Sequence, residues 1–359
     1  MEVELQVLDA KTFELSPGAP AILGNHRDDP HIKEELLESI VEINTDICPD
    51  VAAVREDLRK RFRAVIQTAE DLDFRLISMG THPFSRWKDQ SVTKLSRYQE
   101  FVQRIQWPLR RLLITGIHIH VGVESGEKAV AITNGLNRYI PHLIGLSANS
   151  PLHDGQVTGL ASTRTKLFEG MPTTGLPHQL RNYSEFQKFV RTLQKANAIE
   201  SIREVWWDIR PHPRFGTVEI RVFDSVPTLG EMVNLTALTQ CLVTGISQHY
   251  DEGAQLDLLP PWVVSENKWR ATRHGLEADI IVDDTGTLQS LRQNILETID
   301  KLWNIADDLG CSAEIEEITQ LAEHGQAPYQ RQLAVYQQTK NPVAVLKDAV
   351  AALKGSVYD

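Results

Sequence analysis

The chain opens on strict alternation. In Glu2-Val3-Glu4-Leu5-Gln6-Val7-Leu8-Asp9, Val3, Leu5 and Val7 fall on one side of an extended backbone, and Glu2, Glu4 and Gln6 on the other. That pattern predicts a half-buried strand. Ile40-Val41-Glu42-Ile43-Asn44 repeats it, with Glu42 opposite Val41 and Ile43. Over residues 50–72 the period changes. Val54, Leu58, Phe62, Val65, Ile66 and Ala69 recur at helical spacing, and Asp50 stands where an N-cap belongs. Phe74 to Met79 predicts a short strand stopped by Gly80. Thr81-His82-Pro83-Phe84 then reads as a loop, because a residue before proline avoids the helical region. Residues 97–111 predict a helix. Leu113 to Val123 predicts a strand with Ile117, Ile119, Val121 and Val123 on its apolar face and Gly116, His118, His120 and Gly122 on the other.

A helix is expected around 127–147. Residues 148–182 are rich in Ser, Thr, Gly and Pro and read as a long functional loop. A helix at about 184–198 precedes strands at 203–210 and 216–224. In the second of these, Thr217, Glu219, Arg221 and Phe223 alternate with Val218, Ile220 and Val222. After Pro227 the pattern is mostly helical to the end. No repeat or linker divides the chain. The expectation is one α+β domain over 1–359: an antiparallel or mixed sheet, helices on its back face, and a helical C-terminal part after about 227.

Composition narrows the class. The 359 residues carry 42% hydrophobic and 24% charged positions, ordinary globular values. The net charge of −11 gives no general attraction for nucleic acid or anionic membrane. Cys48, Cys241 and Cys311 are odd in number and far apart, which disfavours a disulfide framework or a zinc knuckle. With no N-terminal apolar region and no run long enough to span a bilayer, a cytoplasmic protein is expected.

The chemistry lies on the polar faces of the strands. Instead of generic Lys and Thr they carry Glu2 and Glu4, then Glu42, then His118 and His120, then Glu219 and Arg221. Spacing i, i+2 keeps each pair on one face, roughly 7 Å apart. A lone Glu-x-Glu is usually a solvated face, a lone His-x-His is as often structural, and Glu219-x-Arg221 by itself is most often a cross-strand ion pair. Recurrence over several strands is the specific signal. Carboxylates so crowded repel, and a divalent cation removes the conflict. Mostly oxygen ligands with an imidazole suit Mg²⁺ or Mn²⁺ better than zinc. Such a face fits phosphoryl transfer to a carboxylate, which makes an acyl phosphate that an amine can attack. Arg221 can reach a phosphate there, and Arg210 either does the same or pairs with Asp208. No GxxxxGK[ST] and no GxGxxG after a strand occur, so P-loop and Rossmann readings fail. Two other readings stay open on these residues. One is a metal-dependent hydrolase of amide or phosphate bonds that needs no ATP; the other is a non-catalytic sensor of glutamate or ATP.

From Glu2 to about Tyr336 the sequence resembles a known family. The carriers, in order, are Glu2-Val3-Glu4-Leu5-Gln6, Gly80-Thr81-His82-Pro83-Phe84, Gly116-Ile117-His118-Ile119-His120-Val121-Gly122, Asn149-Ser150-Pro151, Ser162-Thr163-Arg164 and Thr217-Val218-Glu219-Ile220-Arg221-Val222-Phe223-Asp224. It resembles the glutamate–cysteine ligase type 2 family of carboxylate–amine ligases, which shares the glutamine synthetase catalytic fold. The resemblance implies a saddle-shaped sheet and ATP-dependent ligation of glutamate, by its γ-carboxylate, to an amine such as cysteine through γ-glutamyl phosphate, the chemistry of glutathione biosynthesis. A ligase for another amino-acid pair is the variant of the same reading. By position, Glu2, Glu4, Glu42, His118 and Glu219 are implied as Mg²⁺ ligands, and Arg221 as a phosphate contact. His120 would face substrate or the transferred phosphate, and Arg164 the substrate α-carboxylate. Glu2 directly follows Met1, where strands fray, and is expected to be the weakest ligand.

The remaining expectations are plainer. Trp206 and Trp207 read as core, and His82 reads equally as structural or functional. His26 and His31 flank a loop that could border the substrate mouth. The charged run Arg55 to Arg61 reads as a solvated helix face. The C-terminal helices could support a homo-oligomer.

Overall fold

The computed structural model describes residues 1–358. Among them the strands run β1 (Glu2–Asp9), β2 (Ile32–Glu34), β3 (Ile40–Asn44), β4 (Phe74–Ile77), β5 (Gly116–Gly122), β6 (Leu152–His153), β7 (Gln156–Val157), β8 (Ile209–His212), β9 (Thr217–Asp224), β10 (Asp279–Ile281) and β11 (Leu288–Ser290). Seven form one sheet in the order β2-β3-β1-β5-β9-β8, with β4 also beside β1. Every pairing in it is antiparallel. Val3 pairs with Ile43 on one edge of β1 and with Ile117 on the other, and Gln6 with Ile40 and Ile77. The chain's first strand is therefore central, with β4 and β5 sharing one of its edges.

Alternation explains the layers. Val3, Leu5, Val41, Ile43, Ile117, Ile119, Val218 and Ile220 are buried together in one core with side chains of the helices Val51–Asp71 and Leu229–Asp251. Each such side chain contributes about 1.5–3 kcal/mol on burial. Asp50 caps the first of these helices, its carboxylate accepting from the Ala53 N–H at 2.8 Å. The same core reaches Leu353 and Val357 in the last helix, Pro342–Tyr358. No helix among the described residues is long and apolar enough to cross a membrane.

Several elements differ from the sequence expectation. The helix expected over 97–111 is two, Ser96–Ile105 and Trp107–Arg110, broken at Gln106 (φ +61°) ahead of Pro108. That over 127–147 breaks at Asn137–Tyr139 into Gly126–Leu136 and Ile140–Ser147, because Pro141 has no N–H to continue the ladder. Of the strand expected at 203–210, only Ile209 and Arg210 join the sheet, Trp207 makes an isolated parallel bridge to Gly175, and Ile202–Glu204 is a 3₁₀ turn. The long loop contains the β6–β7 hairpin and a helix, Thr163–Phe168. The helical C-terminal part is interrupted by the β10–β11 hairpin. A register shift between β5 and β9 sets Phe223 opposite Ile117 and into the core, off the face of Glu219 and Arg221. Arg61, expected at a solvated surface, is buried against Asp29, Asp46 and Asp57.

His82 is structural. Its Nε2 lies 3.0 Å from the Phe13 carbonyl oxygen, and its Nδ1 accepts the Ser85 N–H at 2.9 Å. Burial lowers its pKa to about 4, and that of the buried His142 likewise. Both rings fold neutral, so they contribute stability above the unfolded histidine pKa of 6.5 that is lost as pH falls through 4. Thermal stability is expected to drop between pH 6.5 and 4 by up to about 3 kcal/mol per ring. A His82→Gln variant should show a shallower drop in a pH series of melts. An equal slope would remove His82 from the account.

Candidate active site

The polar face of the sheet carries a staircase of charge. Glu42 of β3 is directly opposite Glu4 of β1. Two residues along β1, on the same face, Glu2 is opposite His118 of β5. Two residues along β5, His120 is opposite Glu219 of β9, which is itself opposite Arg210 of β8. The antiparallel register thus lines up residues spread from position 2 to position 219.

Two groups emerge from it. Oxygens of Glu4, Glu35 and Glu42 lie within 4.8 Å of one another. Ligand atoms of Glu2, His120 and Glu219 do the same. Burial, with Glu35 nearby, pushes the Glu4 carboxyl up to about 8. Burial also raises Glu35, and burial with the charges of Glu2, Glu35 and Glu4 raises Glu42 well above the carboxylate range. A cation among the three would reverse those shifts. In the second group, the His120 Nε2 is buried without a hydrogen-bond partner, 3.6 Å from Glu2 and 3.9 Å from Glu219. Its Nδ1 is held at 3.0 Å from the Thr217 hydroxyl. A bare imidazole nitrogen between two carboxylates fits a cation ligand. Either group could therefore hold a divalent ion.

His118 does not complete either three-residue group. Its Nδ1 is 2.9 Å from Glu2 and 3.4 Å from Arg221. Burial and the Arg221 guanidinium lower its pKa to about 4, leaving the ring neutral. Glu2 is not frayed. Met1 donates its ammonium to the Thr45 hydroxyl at 2.8 Å and its carbonyl accepts the Thr45 N–H at 2.9 Å. Burial would raise Glu2, but the His118 hydrogen bond and the neighbouring His120 ring hold it well below the ordinary range.

The arginines divide. Arg221 bonds Glu219 and keeps its Nε buried and unpartnered. Arg210 donates Nε and Nη2 to Glu219 and Nη1 to the carbonyls of Ile202 and Val205. It is not paired with Asp208, which bonds Lys268 at 2.6 Å, and it has little left to offer a nucleotide. Burial would raise Glu219, yet Arg221 and Arg210 outweigh it and hold this carboxyl far below the usual range. Arg164 is buried and lines a cavity of about 120 Å³. Glu4, Glu35, His118, Arg164 and Arg221 make its polar floor, and Tyr98, Phe101, Leu112, Phe168, Met171 and Trp206 are among its apolar walls. Trp206 thus faces the cavity, while Trp207 is core. His26 bonds the Thr68 hydroxyl and His31 lies 3.1 Å from Asp46, so neither lines this cavity.

Comparison with known proteins identifies the family. The profile of glutamate-cysteine ligase family 2 (GCS2) matches residues 1–349. A protein named "putative glutamate–cysteine ligase 2" from Thermobifida fusca is 41% identical over 98% of this chain and 89% of its own. One of the same name from Gloeobacter violaceus is 39% identical over 98% of this chain and 96% of its own. The chain belongs to the glutamate–cysteine ligase family 2. It is an ATP-dependent ligase of that family. Its fold is also that of a glutamate–cysteine ligase from Francisella tularensis, solved in complex with AMP, at a TM-score of 0.75, 12% identity, and coverage of 99% of this chain and 87% of that one.

Within this ligase, Asp224 ties three of the motifs together. Its carboxylate accepts from the Asn149 N–H at 2.8 Å, the Ser150 hydroxyl at 2.6 Å and the Ser162 hydroxyl at 2.8 Å. The Arg164 N–H in turn donates to Ser150 Oγ at 3.1 Å. Ser150, Ser162 and Asp224 thus orient Arg164 against Gly116, where any Cβ would collide with its guanidinium. The residue missed by sequence reading is Glu35. It lies just beyond the three-residue β2, in a segment whose charges follow no period, so no face could be read for it.

Proposed function

We propose that this ligase joins the γ-carboxylate of glutamate to the amine of cysteine, forming γ-glutamylcysteine with release of ADP and phosphate. The observation that carries the reading is two acid groups gathered by one sheet, with Glu4, Glu35 and Arg221 lining the same cavity. Glu4, Glu35 and Glu42 would hold one Mg²⁺, and Glu2, His120 and Glu219 another, with His118 orienting Glu2. Bound there, Mg²⁺ supplies charge neutralisation for the triphosphate and the transferring phosphoryl group. A γ-carboxylate oxygen attacks the terminal phosphorus as the bond to ADP breaks. The amine nitrogen then attacks the acyl carbon, loses a proton, and phosphate departs. Arg221, with its free Nε, would bind phosphoryl oxygens in both steps. Arg164 would bind the glutamate α-carboxylate. Tyr98, Phe101 and Trp206 would keep water from the acyl phosphate.

An ADP-release screen across amino-acid pairs with Mg²⁺ tests the reading. ADP and phosphate should appear only with glutamate and an amine together, cysteine foremost. Release that ignores the acceptor would overturn it. Gly116→Ala, by displacing Arg164, should raise the KM for glutamate roughly tenfold or more while leaving that for ATP nearly unchanged. An unchanged glutamate KM would detach Arg164 from that substrate.

A further inference from the structure

The turn joining β8 to β9, Pro213 to Gly216, carries an aromatic side chain that the fold does not need. Phe215 is 55% exposed. Its ring nonetheless lies flat on His212, with centroids 4.3 Å apart and planes 12° from parallel. His212 is only 4% exposed, and its Nδ1 is buried without a partner. Both rings also meet His120 edge-on at 5.6 Å. The turn is pinned at both ends, by the Phe215 N–H to the His212 carbonyl and by the Val123 N–H to the Gly216 carbonyl.

A single exposed phenylalanine is ordinary on a surface. This one is not free-standing. His212 covers one face, so the exposure belongs to the opposite face and the rim. The bare face is held rigid, one ring away from the Glu2–His120–Glu219 group. Exposed Arg214 adds positive charge in the same turn. An open cleft of about 230 Å³ adjoins it, lined in part by Ser125, Tyr183, His212, Pro213 and Thr217. A flat apolar face beside a candidate metal site and a cation matches a purine nucleotide, whose base would stack while its phosphates reach the metal ligands.

We propose that Phe215, backed by His212, is the platform on which the nucleotide's purine base stacks, and that it sets the preference for adenosine nucleotides over bare polyphosphate. The proposal rests on the nucleotide-using reading above.

Direct binding tests it without turnover. Calorimetric titration with ADP and with pyrophosphate, each with Mg²⁺, compares the wild-type protein, Phe215→Ala and Phe215→Trp. Wild type should bind ADP more tightly than pyrophosphate. Phe215→Ala should weaken ADP roughly tenfold, the scale of one lost base stack, and leave pyrophosphate unchanged. Phe215→Trp should restore ADP binding. Equal ADP affinity in wild type and Phe215→Ala would overturn the platform, as would parallel loss of ADP and pyrophosphate. A wild-type protein that binds ADP through Phe215 but releases none with any amino-acid pair would sink the ligase reading and leave the platform standing.

Discussion

Glu219→Gln is expected to abolish nucleotide-dependent turnover and to destabilise the protein at the same time. The first effect follows from the proposed cation at Glu2, His120 and Glu219. A neutral amide cannot replace a carboxylate there, and a loss on the order of a hundred- to a thousandfold is the scale of removing one such electrostatic contact. The second effect comes from the arginines. Glu219 is 1% exposed and is the carboxylate that Arg210 and Arg221 share. Removing its charge leaves two buried guanidinium groups without their ion partner. Breaking a buried pair from one side costs about 3–5 kcal/mol. ADP release and thermal melts of the variant measure the two separately. Normal turnover would take Glu219 out of the site. An unchanged melting temperature would mean that Arg210 and Arg221 find other partners.

That double role was not readable from the sequence. Alternation gave the faces of β1, β3, β5 and β9, because strand period is local. It therefore gathered Glu2, Glu4, Glu42, His120 and Glu219 correctly onto one surface. Which of His118 and His120 lies between carboxylates is a matter of register, set by the β1–β5 and β5–β9 pairings rather than by either segment alone. Sequence leaves Arg210 either to a phosphate or to Asp208, its neighbour along the chain, whereas its partner is Glu219 on the paired strand. Helix breaks at Gln106 and Asn137 were signalled by Pro108 and Pro141, and reading apolar period over proline hid them. Glu35 and the Asp224 network depend on contacts between distant segments, which no periodicity reports.

Glu42→Gln should have the opposite effect on stability for the same loss of activity. Glu42 has no arginine beside it. Lys33 is opposite on the edge strand but largely exposed, and the close neighbours are the carboxylates of Glu4 and Glu35. At 4.8 Å and an effective dielectric near 20, each like-charge pair repels by about 3 kcal/mol when ionised. Without a cation, buried Glu42 must either stay ionised against that repulsion or take up a proton that it would not hold in the unfolded chain; Glu42→Gln removes either cost, and the variant should melt higher than wild type in EDTA at neutral pH by about 1–3 kcal/mol. With Mg²⁺ the order should reverse. Wild type gains stability by binding the ion, as any ligand of the folded state provides, while the variant has lost a ligand and gains little. Melts of both proteins in EDTA and across a Mg²⁺ series would therefore cross. If Glu42→Gln melts lower in EDTA and keeps the full Mg²⁺ response, the Glu4–Glu35–Glu42 group is not a cation site. A crossing would tie the cost of burying these carboxyls to the ion proposed for the ligase reaction.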